Sequence, residues 1–256
     1  RKGNDENAFS MFDTYINCAS HPMFESYNYL TTDKKLAEAA YWATFAASRL
    51  DSAALVLRHA EMAEADTSKL RFLLMYEAMA YNKTGEMEKY EATLRRGFDI
   101  FPLFSFYFPH LIDLYNANGE LEKAQELCDT ALAITPENIL FLYAKSNLLL
   151  SLGKNDDCIE VTRRIIELND SIAEPYYNVG MAYLNKIVSL DKMGKRQDKA
   201  KIKTLYKEAM PYLEKYRELA PDEKKKWAPA LYRVYLNLNM GKQFDDIDKI
   251  LGNEKP

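Results

Sequence analysis

The sequence has 256 residues, 48% hydrophobic, 12% aromatic and 28% charged, with a formal net charge of −4. This content excludes a disordered chain, and so mild a charge gives no whole-chain attraction for nucleic acid. No apolar run approaches the ~18 residues needed to cross a membrane, and with only 9 Gly and 9 Pro the composition favours helices.

Three cysteines, Cys18, Cys128 and Cys158, are too few and too scattered for a disulfide framework or a paired-cysteine metal site. They are expected to be buried thiols rather than a bridged or reactive pair. The chain opens on Arg1 rather than Met. A removed export signal and an artificial start are both open, and the expectation leans to export into a periplasm.

Residues 1–36 are the least regular. Phe9, Phe12 and Ile16 share one helical face, Ser20-His21-Pro22 breaks the pattern, and Phe24, Tyr27 and Leu30 suit a short second helix. The aromatics here (Phe9, Phe12, Tyr15, Phe24, Tyr27, Tyr29) are expected to cover the open end of a helical stack rather than to bind a ligand. Asp33 is the expected N-cap of a helix carrying Leu36, Ala40, Ala43 and Ala47 inward, which turns near Leu50-Asp51. A helix from Ala53 to Ala65 follows, presenting Val56, Ala60 and Ala63; such small residues let two helices approach closely.

From here a period appears. Gly85, Gly119 and Gly153 are spaced by 34, as are Pro102, Pro136 and Asp170. A fixed repeat of this length marks a helical solenoid, whose units bury their cores only by stacking. Gly just past one helix and Pro just past the next are the stops. Ser105 is the expected cap that puts Pro109 in a first turn, and Ser171 does the same for Pro175. The units read as 37–70, 71–104, 105–138, 139–172, 173–223 and 224–251, after capping helices in 1–36. In the fifth, Leu142, Leu149, Cys158 and Ile165 keep the frame. The sixth departs from it, with 26 positions from Tyr183 to Ala209 where earlier units have 9. Two lengthened helices with a turn around Gly194 are expected there. In the last unit Trp227, Leu231, Tyr235 and Leu238 precede a turn at Gly241 and a short helix from Phe244 to Leu251.

The pattern resembles the tetratricopeptide repeat family, carried in the fourth unit by Phe108, Leu111, Tyr115, Ala124, Ala131 and Pro136. In the sixth it is carried by Tyr176, Val179, Gly180, Tyr183, Ala209, Leu213 and Pro221. Ile112 and Ser146, Tyr90 and Ile165 depart from the motif without disturbing the frame. The lengthened sixth unit and compact last one also resemble bacterial, often exported members. The resemblance implies an all-α, right-handed superhelical solenoid of antiparallel helix pairs, whose concave face binds protein partners as peptides or helices.

In that frame the groove-facing positions of the first helices are Tyr41, Phe45 and Arg49; Phe72, Met75, Met79 and Asn82; and Phe106, Asp113 and Asn116. They continue with Leu140, Tyr143 and Asn147, then Tyr177, Met181 and Asn185. Rings and thioethers give adaptable apolar contact, and amides bond a peptide backbone. Part of this line, above all Tyr41, Met75, Tyr143 and Tyr177, has the alternative of packing on the neighbouring helix. Capture of a C-terminal carboxylate is not expected, because Tyr143 stands where such a clamp needs a Lys.

Residues 186–207 hold eight basic residues and two acidic ones, so the segment is +6 and the remainder −10. The lysines Lys192, Lys195, Lys199, Lys201 and Lys203, with Arg196, make it a candidate dock for an acidic partner, anionic lipid or nucleic acid; the alternative is a solvated helical hairpin without a ligand. His21, His59 and His110 lack metal-ligand spacing, and no nucleophile motif or phosphate-cradling loop occurs. Asp156-Asp157 and Asp245-Asp246 are read as carboxylates at helix starts. No cofactor, metal or enzymatic activity is expected. The partner expected is a protein or peptide rather than nucleic acid.

Overall fold

Five helix ends share one backbone solution, and it fixes where the chain reverses. After each helix a residue with positive φ occupies the left-handed region: Asp51 (57°), Gly85 (77°), Gly119 (71°), Gly153 (70°) and Asn239 (56°). At Gly119 its N–H bonds the Asn116 carbonyl (3.2 Å) and the Glu120 N–H bonds that of Tyr115 (2.8 Å), the paired bonds of a Schellman ending. The same pair recurs at the other four, from Asp51 and Ser52, Gly85 and Glu86, Gly153 and Lys154, and Asn239 and Met240. Orphan carbonyls are satisfied, and the next helix starts at once.

The computed structural model describes residues 2–192 and 198–252, without the side chains of 2, 191 and 192. Among them there are helices and turns and no strand. The helices are α1 (Lys2–Ala19), the single turn α2 (Tyr29–Thr32), α3 (Leu36–Arg49), α4 (Ala53–Ala63), α5 (Leu70–Thr84), α6 (Met87–Ile100) and α7 (Tyr107–Asn118). They continue with α8 (Leu121–Ile134), α9 (Ile139–Ser151), α10 (Asn155–Leu168), α11 (Ala173–Lys192), α12 (Lys199–Leu219), α13 (Lys224–Leu238) and α14 (Gly241–Gly252). No described helix is long and apolar enough to cross a membrane.

Two compact units divide this chain, residues 1–120 and 121–256. The boundary falls inside the fourth repeat, so α7 belongs to the first unit and α8 to the second. In the first, α3 packs on α4, α5 on α6 and α6 on α7, with α1 laid along α3. Alanines line the first of these contacts: Ala40, Ala43, Ala47, Ala60 and Ala63 are all buried. Polar pairs tie α1 down at its outer edge. Asp5 meets Arg49 (3.0 Å), and Asp13 meets both Arg58 (3.2 Å) and His59 (2.6 Å). Burial would raise the Asp13 carboxyl, but the hydrogen bonds from His59 and Arg58 hold it below its ordinary value. In the second unit α8 packs on α9, α9 on α10, α11 on α10 and α12, and α13 on α12 and α14. Its core gathers Val179, Ile187, Leu213, Tyr216, Trp227 and Ile247.

Several local expectations need correction. The N-cap of α3 is Lys35; Asp33 instead accepts the Lys35 N–H (2.9 Å) and the Tyr15 hydroxyl (2.6 Å), and so braces the preceding turn. The cap of α7 is Phe106 rather than Ser105, which still leaves Pro109 in the first turn. The final reversal is made by Asn239, so α14 begins at Gly241, and Asp245-Asp246 lie beyond its first turn. The expected break around Gly194 lies outside the described residues. Pro211 and Pro229 sit inside α12 and α13, each removing one N–H from the helix ladder.

The two larger departures from the repeat motif have local explanations. Tyr90 stands where a small residue is expected, and it is buried with its hydroxyl 3.0 Å from His110 Nδ1. Ser146 is buried and joins a polar seam between α9, α10 and α11. There Asn178 Nδ2 donates to Ser146 Oγ (3.0 Å), and the Cys158 thiol donates to the Ser146 carbonyl (3.3 Å). Cys128 and Cys158 are buried, whereas Cys18 is exposed. Burial pushes the Cys128 thiol up to about 12 and raises that of Cys158, so both stay protonated.

Close approach decides the packing at two glycines. A methyl on Gly97 would run into the ring of the fully buried Tyr107, and one on Gly180 would meet Leu213. Gly97→Ala is expected to lower stability by about 1–3 kcal/mol, the usual result of overpacking a tight core. Gly119→Ala, whose cost is left-handed backbone alone, is expected to lose about 1 kcal/mol. Urea unfolding followed by far-UV circular dichroism compares the two. Equal effects would show that the Gly97–Tyr107 contact relaxes freely.

One buried carboxyl gives a pH dependence. Glu77 on α5 is 7% exposed. Burial, and then repulsion from Glu64, push its carboxyl from about 4.5 up to about 7, because the nearby Arg96 is engaged by Glu64 (2.7 Å). Between those two pH values the folded chain keeps a proton that the unfolded chain releases. Stability contributed by this group therefore falls as pH rises through the window, by about 3 kcal/mol in total. Glu77→Gln should be the more stable chain at pH 8 and lose its advantage near pH 4.5. A wild-type minus variant difference that is flat across this range contradicts the assignment.

Candidate binding surfaces

Helical phase divides the expected groove line of each unit into packed and free side chains. In the first unit Tyr41 is 6% exposed and belongs to the core. Trp42 (5.2 Å) and Tyr76 (6.4 Å) fold against its ring, and the Lys69 ammonium lies 5.4 Å from its centroid. Phe45 is half-buried between Trp42 and Tyr76, at 5.7 and 6.0 Å. Phe72 is half-buried with Phe104 at 5.4 Å and the Arg71 guanidinium over it at 4.8 Å. Phe106 rests on His110 at 4.1 Å. Met75 is half-buried.

Beyond these the line opens to solvent. Met79 is 56% exposed, although its helix neighbours Leu73, Leu74 and Ala78 are wholly buried. Asn82, Asp113 and Asn116 are exposed too. The free part of the first unit thus combines one large thioether and two amides at the rim of half-buried rings. This arrangement suits an apolar anchor flanked by main-chain hydrogen bonds.

In the second unit Leu140 and Asn147 are exposed, and Tyr143 and Asn185 half-buried. Asn147 Oδ1 accepts a hydrogen bond from Asn178 Nδ2 (2.6 Å), which links it to the buried polar seam. Tyr177 and Met181 turn toward the core, Tyr177 lying 5.0 Å from the fully buried Tyr216. Burial raises the Tyr177 hydroxyl above its ordinary value. The alternative of packing therefore describes Tyr41, and also most of Tyr177.

A second apolar surface lies on α1 and the segment after it, against the expectation that these aromatics close the end of the stack. Phe9 and Ile16 are buried, but Met11 (75%), Tyr15 (44%), Met23 (74%), Tyr27 (61%) and Leu30 (52%) are exposed. Tyr27 and Tyr29 stack on each other at 5.4 Å, and Phe24 lies 5.9 Å from Tyr29. Trp42, 37% exposed and absent from the expected line, adjoins Met11, Phe12 and Tyr15. Its position was legible: Met11 and Tyr15 lie on the opposite face of the helix from Phe9 and Ile16.

The described basic residues of the insertion are on α11 and α12. Lys199, Lys201 and Lys203 are exposed on α12, together with Lys207. Asp198 is taken up as the N-cap, accepting the Lys201 N–H (3.0 Å). Lys186 pairs with Asp156 on α10. The side chain of Lys192, and Lys195 and Arg196, lie outside the described residues. Among the described residues no group of three or more His, Cys, Asp and Glu could hold a metal ion.

No protein-family model matches the chain, and no curated protein is significantly similar in sequence. Solved structures do match it. The C-terminal part of a TPR repeat-containing protein from Cytophaga hutchinsonii aligns over 97% of this chain and 93% of its own, with a TM-score of 0.62 at 14% identity. MamA from Desulfovibrio magneticus RS-1 aligns over 73% of this chain and 98% of its own, with a TM-score of 0.55 at 15% identity. YrrB, a TPR protein with an unusual peptide-binding site, aligns over 73% and 87%, with a TM-score of 0.50 at 15% identity. At such identities the likeness is one of fold, and the fold is that of the tetratricopeptide-repeat proteins.

Proposed function

We propose that this chain is a non-catalytic scaffold that binds a peptide or helix of a partner protein through the inner faces of its first helices. The observation carrying this reading is Met79, 56% exposed on a helix whose other apolar residues are mostly buried, with Asn82 exposed one turn on. Each unit offers apolar surface of its own: half-buried Phe45, Phe72, Met75 and Phe106 in the first, Tyr143 in the second. Asn116 and Asn147 offer amides for its backbone. The fold supports the same class of ligand, since YrrB is a TPR protein with a peptide-binding site. Tyr41, Tyr177 and Met181 contribute by holding the helices in place rather than by contact.

Covering a large apolar side chain completely is worth about 1.5–3 kcal/mol before ordering costs. Met79 and Tyr143 each start partly exposed, so truncation removes a fraction of that. Peptides selected on the wild-type chain from a random display library provide the ligands. Met79→Ala and Tyr143→Ala are expected to weaken at least one selected peptide by about fivefold each, about 1 kcal/mol, with the thermal midpoint little changed. Unchanged affinity in both variants would sink the groove reading. Early unfolding of both would instead make these residues part of the core.

A further inference from the structure

The lengthened pair α11–α12 carries a surface that the repeat frame does not need. The helices run 20 and 21 residues, against 13 and 14 for α9 and α10, so each is seven residues longer. At about 1.5 Å per residue this projects the pair ~10 Å past the preceding one. The projection is ordered by its own small core, since Ile187 and Leu205 are buried.

Along its solvent side α12 presents Lys199, Lys203 and Lys207, four residues apart and hence about 6 Å apart along the axis. Lys201 is also exposed. None of these four has an ion-pair partner among the described residues. Elsewhere Lys69, Lys83, Lys89, Lys145, Lys186 and Lys215 each meet a carboxylate. The acid that begins the helix, Asp198, is used as a cap. Glu208 bounds the strip at its inner end.

Three kinds of polyanion could answer such a strip, and the surroundings select among them. Single-stranded nucleic acid calls for aromatic platforms on which bases stack. Tyr206 is buried and Tyr212 half-buried, so no ring is exposed on the described part of α12. An anionic membrane calls for apolar side chains that enter the headgroup layer. No large apolar side chain is exposed on the described residues of α11 or α12. Size decides the remaining case. The rest of the chain carries −10, and the projection is about one screening length, ~8 Å at physiological salt. A duplex or a bilayer is broader than a strip one helix wide, whereas a single acidic helix can lie along it alone.

We propose that the Lys199, Lys203 and Lys207 edge of α12 docks a helical acidic segment of a partner protein, one with carboxylates at matching fourfold spacing. Each lysine then meets one carboxylate across two helices of equal pitch, which a less regular anion cannot do three times over. The edge is independent of the groove reading and stands if that reading fails.

The test uses the full chain and a labelled helical peptide of ~20 residues with Glu at every fourth position, in an Ala and Gln background. Its affinity is compared with that of a short DNA duplex and of phosphatidylserine-containing vesicles. The expected result is peptide binding stronger than either, weakening steeply from about 50 to about 300 mM salt. The triple variant Lys199→Gln, Lys203→Gln, Lys207→Gln should lose about tenfold, while Lys→Arg at the same positions keeps the peptide bound. Met79→Ala, in the other surface, should leave this binding unchanged. The proposal is overturned if the wild type ignores the peptide, if the Gln variant binds it as well as the wild type, or if duplex or vesicle binds more tightly.

Discussion

Three of the helix pairs depend on one close approach, made where a side chain no larger than a methyl faces the partner helix. In the first unit this is the run of buried alanines between α3 and α4, and then Gly97 beneath the ring of Tyr107. In the second it is Gly180 against Leu213. Such contacts set helix axes near the short end of the usual ~8–10 Å range. They also make space for large rings in the same layer. Tyr107, whose hydroxyl donates to the Arg71 carbonyl, and Tyr115, whose hydroxyl donates to Glu91 (3.0 Å), are both fully buried. A small residue on one helix and a large anchored ring on the next are therefore parts of one device. It explains why so many tyrosines lie inside a chain of modest hydrophobicity.

The reversals between helices were largely legible in the sequence, because they recur. The spacing of Gly85, Gly119 and Gly153 reports a backbone requirement, a left-handed residue after each first helix, and so locates the reversals directly. Where the same backbone is built from another residue, the glycine signal is absent, and the turn near Asp51 is read from the helix faces around it instead. Asp51 and Asn239 make the identical pair of hydrogen bonds without glycine. At the second of these, Gly241 two residues on drew the turn to the wrong place. Capping was less legible for a similar reason: Asp33 has the right chemistry for a cap, but Tyr15, distant in sequence, also claims its carboxylate.

The binding surface was legible only in part. A repeat position states which way a Cβ points, and it says nothing about what folds over the side chain afterwards. Tyr41 and Met79 occupy nearby rungs of the same frame, yet Trp42 and Tyr76 close over Tyr41 while Met79 stays open. The N-terminal aromatics are divided by the same cause, Phe9 being buried and Tyr15 and Tyr27 exposed. Composition marked them as covering residues, but helix α1 has room to bury only one face, and Phe9 and Ile16 fill it. What remains on the other face is apolar because of its sequence and exposed because of its phase.

The surfaces left free differ in the range of the forces they exert, and this separates what each can contribute to binding. Apolar contact at Met79 acts only once water has been expelled, so it bears on how long a partner stays. The lysines of α12 act across a screening length before contact, so they bear on how fast and in which orientation a partner arrives. The chain outside residues 186–207 carries −10, so on balance it gives an acidic segment no net attraction. The insertion therefore changes the sign of the encounter at one place without altering the packing of the repeats. A break in the period suits such a role, because a regular unit has no side chains to spare. On α9 and α10, Lys145, Arg164 and Asp156 are all taken up in ion pairs. The lengthened α12 instead holds Lys199, Lys203 and Lys207 in a row without an ion-pair partner among the described residues.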